Sequence, residues 1–194
     1  MKMKSKKKVF VTVLCAAALV VASVLGTMAY LTSQDAVENT FTVGKVAITL
    51  DEAKVTDAGD PVVGADRVKT NTYKLIPGHE YTKDPTVHVT AGSEDSWLFV
   101  KVVDEIAGIE ADTTVAAQMA ANGWTAVEGE TNVYAYKATV TSGQDIKVFE
   151  NFTIKGDAAV ADYAGKTITI EAYAIQADGF TTAADAWKAA PTWN

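Results

Sequence analysis

The sequence contains a single cysteine, and Cys15 lies inside an uncharged apolar run from Val9 to Leu25. If that run is removed as a leader, the remaining chain has no thiol. A disulfide framework, a cysteine-ligated zinc site and a thiol nucleophile are then excluded from it. Lipidation of Cys15 is disfavoured as well, because Val13 and Leu14 are not the small residues that should precede a lipidated cysteine.

Histidine is also scarce, with only His79 and His88 in the chain. A zinc-protease interpretation of His79-Glu80 requires a second histidine one helical turn later, and Lys83 stands there. The sequence has no G-x-S-x-G nucleophile motif and no glycine-rich phosphate loop. We therefore predict no catalytic residue, no cofactor and no metal site, and expect His88 to be a solvated or partly covered strand residue.

Acidic residues occur in three adjacent pairs without the regular spacing of a calcium-binding loop. We interpret these pairs as solvated charges at strand ends. They are Asp51-Glu52, Glu94-Asp95 and Asp104-Glu105.

Basic residues are few outside the first eight positions. The formal charge of the whole chain is −7, and loss of the five N-terminal lysines would take it to −12. This acidity argues against nucleic acid or an anionic membrane surface as a partner. A membrane contact is expected only through an uncleaved leader.

The N-terminus has the pattern of an export signal. Five lysines precede the apolar run, and the run closes on small residues, with Thr27 and Ala29 at positions −3 and −1. This pattern predicts a signal helix in residues 1–29, with cleavage by signal peptidase between Ala29 and Tyr30. An uncleaved signal anchor is the alternative, although the run is short for a bilayer of roughly 30 Å.

The apolar pattern changes parity just after this junction. Phe41 and Val43 are apolar at odd positions, whereas Val46, Ile48 and Leu50 are apolar at even ones. One continuous strand cannot bury both sets on one side. Gly44 is therefore predicted to mark a bulge, a kink or a strand boundary, which leaves residues 30–43 free to pair elsewhere.

Period-2 stretches dominate the rest of the chain. They predict an all-β domain over residues 44–194, an antiparallel jelly-roll-like β-sandwich of about seven to nine strands. Trp97–Val103 is predicted to be a central strand buried on both faces, and Asp112–Gly123 a short helix capped by Asp112 or Thr113. A helical turn near 158–163, another near 182–190 and further strands complete the prediction: Trp124–Val127, Val133–Val140, Ile146–Ile154 and Lys166–Ala177.

The junction resembles that of a known family. The runs G-T-M-A-Y-L-T and N-T-F-T-V-G-K-V-A-I-T-L-D-E, followed by Pro77-Gly78 and Lys83-Asp84-Pro85, are similar to the TasA and camelysin family of Gram-positive bacteria, whose leaders are cleaved by a SipW-type signal peptidase. The resemblance implies a secreted jelly-roll protein that assembles head-to-tail into biofilm matrix fibres. The chain would pair with itself, alone or with an accessory minor subunit.

In such fibres the N-terminal segment of one subunit adds a strand to the next subunit. The resemblance places this donor strand at residues 30–43, and its contact residues are Leu31, Val37, Phe41 and Val43. Two other functions remain open. One is a surface adhesion module that uses the Ala53–Thr70 loop, and the other is a camelysin-like secreted metalloprotease, for which the sequence offers no ligand set.

Overall fold

The computed structural model describes residues 44–111 and 113–190, and this part of the chain is β-rich with two short α-helices. The helices are α1 (Val115–Ala121) and α2 (Ala183–Ala189), and 3₁₀ turns occupy Ala107–Ile109 and Val160–Tyr163. The strands are β1 Ile48–Asp51, β2 Glu80–Thr82, β3 Thr86–Val89, β4 Ser96–Asp104, β5 Trp124–Ala126, β6 Val133–Tyr136, β7 Asp145–Lys147, β8 Asn151–Thr153 and β9 Ile168–Gln176.

The strands form three antiparallel sheets in the orders β1-β3-β7, β2-β8 and β5-β6-β4-β9. β4 lies between β6 and β9, and consecutive residues Leu98, Phe99 and Val100 are all fully buried. Since successive strand residues point to opposite faces, both faces of β4 are covered. The prediction of a central strand at 97–103 is confirmed.

The predicted continuous strand at 146–154 is wrong, because the chain changes partner within it. β7 pairs with β3, whereas β8 pairs with β2. Val148 and Phe149 between them are both fully buried, so the period-2 alternation breaks at that point. The strand predicted at 133–140 is also shorter than expected, and Val140 makes only an isolated bridge to Ser96.

Helix α1 lies inside the predicted helix at 112–123, but its cap is neither of the two predicted residues. Thr114 caps it, with its hydroxyl oxygen accepting from the amide of Ala117 at 3.2 Å. Val115 and Met119 form its buried side. Gly123 follows the helix with a φ of 91°, a left-handed conformation that suits glycine at a helix end.

At the start of the described chain, residues 44–47 have no regular secondary structure and β1 begins at Ile48. Ile48 and Leu50 pack against the core while Thr49 is exposed, as the even-position pattern predicts. Gly44 is exposed and lies just before β1. The other residues predicted to act at the junction lie outside the described part of the chain, and they are Ala29, Tyr30, Leu31, Val37, Phe41 and Val43.

The core cluster takes buried side chains from all three sheets and includes several aromatic rings. Tyr81 stacks on Phe152 with ring centroids 4.9 Å apart, and both are buried. From helix α2, Trp187 lies 4.9 Å from the ring of Phe99, so the C-terminal helix docks on the four-stranded sheet. Within residues 44–111 and 113–190, no helix has the length and apolar character needed to cross a membrane.

Candidate functional site

A groove of about 870 Å³ lies beside β1. Its walls are β1, the irregular segment 68–75 and the turn and strand start at 160–170. Leu50, Leu75, Phe152, Val160, Ile168 and Ile170 give it an apolar lining. The volume falls within the range of about 300–1,000 Å³ that is typical of binding pockets.

One wall of the groove is the outer edge of β1. The Thr90 amide bonds the carbonyl of Ala47, and register pairs Thr49 with His88. Hydrogen-bonded pairs alternate in an antiparallel ladder, so the backbone groups of Ile48 and Leu50 point away from β3. Lys69 donates its ammonium to the Leu50 carbonyl, so a side chain occupies part of this edge.

The other wall contains the outer edge of β9, which pairs only with β4 in the described part of the chain. The amide of Glu105 bonds the Thr167 carbonyl, and the amide of Ala177 bonds the Asp95 carbonyl. By the same alternation, Ile168 and Ile170 direct their backbone groups away from β4. The groove is thus flanked by two strand edges without a neighbouring strand among residues 44–111 and 113–190.

A charged cluster lies beside β1, and Asp51 is the member of it that lines the groove. Arg67 donates to the carboxylates of Asp51 and, at 2.9 Å, Asp84. His88 lies between Asp51, at 2.9 Å from Nε2, and Asp145, at 2.6 Å from Nδ1. These contacts connect β1, β3 and β7.

The pKa of His88 reflects this position. Partial burial lowers it, but hydrogen bonds to Asp145 and Asp51 outweigh burial and raise the pKa above its ordinary value. The expectation of a partly covered imidazole is confirmed, since 27% of its side chain is exposed. The sequence did not predict that two carboxylates, those of Asp51 and Asp145, would pair with His88.

A polar trio of Glu52, Lys83 and Asn71 lies in the groove wall. Glu52 is 4% exposed and Lys83 is 7% exposed, whereas Asn71 is half-buried. Lys83 Nζ donates to Glu52 Oε2 at 2.5 Å, and Asn71 Nδ2 donates to Oε1 at 2.9 Å. The interpretation of Asp51-Glu52 as solvated charges is therefore wrong for Glu52. The strand parity that faces Leu50 to the core also turns Glu52 inward, and only a tertiary partner 31 residues away makes that burial possible.

A second buried carboxyl group belongs to Glu110 and contacts the first residue of helix α1. Glu110 is 2% exposed, and its Oε2 accepts from the Val115 amide at 3.0 Å while Oε1 has no hydrogen-bond partner. Burial, with the nearby charge of Asp104, raises the pKa of Glu110 to about 7. No motif in the sequence distinguished this residue.

The groups that the sequence analysis considered for chemistry do not converge. His79 contacts the carbonyl of Ala58 at 2.7 Å, whereas His88 lies in the charged cluster beside β1. Among the described residues, no group of three or more histidine, cysteine, aspartate or glutamate side chains could hold a metal ion.

Comparison with known proteins gives no further identification. No protein-family model, curated protein or solved structure matches this chain.

Proposed function

We propose that this chain is a secreted structural protein of the TasA and camelysin type, which assembles into extracellular fibres. Each subunit would place its mature N-terminus, residues 30–43, in the groove of the next. One observation carries the proposal: the groove has apolar side chains in its lining and lies beside two strand edges that have no partner strand in the described chain. We further propose that the three sheets represent a jelly-roll-like sandwich.

The physical basis is strand addition. The outward backbone groups of Ile48, Ile168 and Ile170 can pair with an extended segment, whereas the Leu50 carbonyl already accepts from Lys69. Main-chain hydrogen bonds to these groups would supply affinity. Alternate side chains of that segment would enter the apolar lining and supply specificity. Because donor and acceptor are different surfaces, the contact is head-to-tail and propagates as a filament.

The donor segment has matching composition. It offers Leu31, Val37, Phe41 and Val43 as apolar side chains, and its only charges are Asp35 and Glu38. The exposed side chains of Lys69 and Lys166 line the groove. Lys69 already donates to the Leu50 carbonyl and Lys166 pairs with Glu105 at 3.3 Å, so an acidic strand would compete with these partners for the two cations.

Cleavage after Ala29 would control assembly. An intact leader keeps residues 30–43 attached to a membrane-inserted helix, and cleavage releases them on the outer side. Signal peptidase is then the partner that starts assembly, and the protein acts without a cofactor and without catalysis of its own.

The test is electron microscopy and light scattering of three purified forms: the full chain, residues 30–194 and residues 44–194. We expect fibres only from 30–194. Excess synthetic peptide of residues 30–43 should slow fibre growth, because it occupies the groove.

A peptide with Phe41→Ser and Val43→Ser is the matched control, because it keeps length and charge but loses apolar fit. Monomeric 30–194 at high concentration, or fibres from 44–194, would refute self-assembly through this segment. Fibres that require a second matrix protein would replace the homopolymer with an accessory-subunit mechanism.

One observation favours the alternative of an adhesion module. In the 53–70 loop, Val63 is 98% exposed and Val62 is 38% exposed, so this loop presents apolar side chains to solvent. Binding of a glycan or host protein by 44–194 that is lost in Val63→Ser, without any fibre formation, would support adhesion over assembly.

A further inference from the structure

The polar trio in the groove wall combines an amine, a carboxamide and a carboxylate. Both Lys83 and Asn71 donate to the same glutamate, one to each oxygen of Glu52, at 2.5 and 2.9 Å. The Lys83 amine and the Asn71 carboxamide are therefore held at one site by a single carboxylate. These three groups are the reactants and the proton carrier of an amide-forming reaction.

We propose that Lys83 and Asn71 form an intramolecular isopeptide bond, with Glu52 as the proton-transfer group. This cross-link is independent of fibre assembly. It joins the irregular segment 68–75 to the end of β2 and so fixes one wall of the groove.

Aromatic side chains lie beside the lysine. The rings of Tyr73, Tyr81 and Phe152 pack together, and Lys83 Nζ lies 5.9 Å from the centroid of the Tyr73 ring. In the proposed first step, Glu52 takes a proton from the Lys83 ammonium, which creates the amine nucleophile.

The carboxamide is held in a reactive orientation. Asn71 Oδ1 accepts from the amide of Val55 at 3.1 Å, and Nδ2 also donates to the Ala53 carbonyl at 2.8 Å. The Val55 donor polarises the carbonyl and stabilises negative charge on Oδ1 during attack. The second Nδ2 hydrogen bond fixes the plane of the amide.

The proposed reaction joins the Lys83 amine to the Asn71 side chain and releases ammonia. Lys83 gives one proton to Glu52, and neutral Nζ attacks Cγ of Asn71. Glu52 gives its proton to Nδ2 and takes one from Nζ. The bond between Cγ and Nδ2 breaks, the bond between Cγ and Nζ remains, and ammonia leaves with the last proton as ammonium. Nothing is oxidised or reduced.

Mass spectrometry of the purified chain tests the proposal directly. We expect an intact mass below the sequence mass by one ammonia. Trypsin should fail to cleave after Lys83 and should release a branched peptide in which residues 70–74 are joined to residues 75–101. An intact mass equal to the sequence mass, with normal cleavage after Lys83, would overturn the proposal without any need for a variant.

Variants assign the roles. Lys83→Arg keeps a cation beside Glu52, but its guanidinium stays protonated and cannot attack. Glu52→Gln keeps the shape and cannot accept the proton. Both should restore the full sequence mass, and Lys147→Arg, at an exposed ion pair with Glu150, should keep the ammonia deficit. A deficit that persists in Lys83→Arg would place the lost ammonia elsewhere and refute the cross-link.

Discussion

Glu52 and Glu110 are buried to nearly the same extent, at 4% and 2% exposure, but their partners differ. Glu52 has a donor on each oxygen, from Lys83 and Asn71. Glu110 has one backbone donor and one oxygen without a partner, with the Asp104 carboxylate nearby. Burial therefore does not fix the charge of a carboxyl group. The donors around it decide whether the anion persists or a proton is taken up.

The largest effect should come from removing the Lys83 nitrogen beside Glu52. Lys83→Met deletes the donor to Glu52 Oε2 and with it the cross-link proposed between Lys83 and Asn71. We expect a loss of about 3–5 kcal/mol in the free energy of unfolding, because a buried carboxylate without its partner is costly. Urea denaturation at pH 7 measures it.

Lys147→Met is the matched control for that variant. It breaks the exposed Lys147–Glu150 pair and should cost less than about 0.5 kcal/mol. Equal losses of unfolding free energy in the two variants would contradict the larger contribution expected from the buried Glu52 site.

The next effect should come from neutralising Glu110. Its pKa is raised from 4.5 to about 7, so the folded state binds more protons than the unfolded state between these values. The contribution of Glu110 to the free energy of unfolding is therefore fully present below about pH 4.5 and is lost as the pH rises towards 7. Glu110→Gln should remove this slope and stabilise the protein at pH 8 by roughly 1–2 kcal/mol.

Urea denaturation of wild type and Glu110→Gln at pH 5 and pH 8 measures this difference. Glu105→Gln is a control at an exposed carboxyl with a lowered pKa. A Glu110→Gln protein with an unchanged pH slope, or with lower stability at pH 8, would contradict the unpaired carboxyl as its source.

The smallest effect on the free energy of unfolding should come from His88 in the charged cluster. The pKa of His88 is raised, so its contribution is fully present below its unfolded value near 6.5 and is lost as pH rises through the higher folded value. His88→Gln should lower stability by about 0.5–1 kcal/mol at pH 5 and have little effect at pH 9. Nuclear magnetic resonance titration of His88 checks the direction, and a midpoint below that of an unfolded histidine would contradict it.

Several elements could be predicted from sequence because they depend on local pattern. The apolar run at 97–103 identified the central strand, and the predicted helix at 112–123 contains helix α1. The break between β7 and β8 could not be predicted, because Val148 is paired to Pro85 by tertiary backbone contact. The same holds for the groove, whose two walls come from strands more than a hundred residues apart in sequence.

The polar sites show the same division. His88 was identified as a strand residue, but its carboxylate neighbours on β1 and β7 depend on which strands pair. Glu52 was assigned to solvent because adjacent acidic residues usually mark exposed strand ends. A carboxylate inside a core requires a distant cation, and pairwise sequence pattern does not reveal one.

By itself the sequence determined the β-rich character of the chain and the positions of its two short helices, because side-chain alternation and helix end signals act over a few residues. Only the tertiary structure decided which strand edges were left beside the groove and which buried carboxyl received two donors. Those outcomes depend on contacts between segments that are distant in sequence, and their energies exist only once the chain has folded.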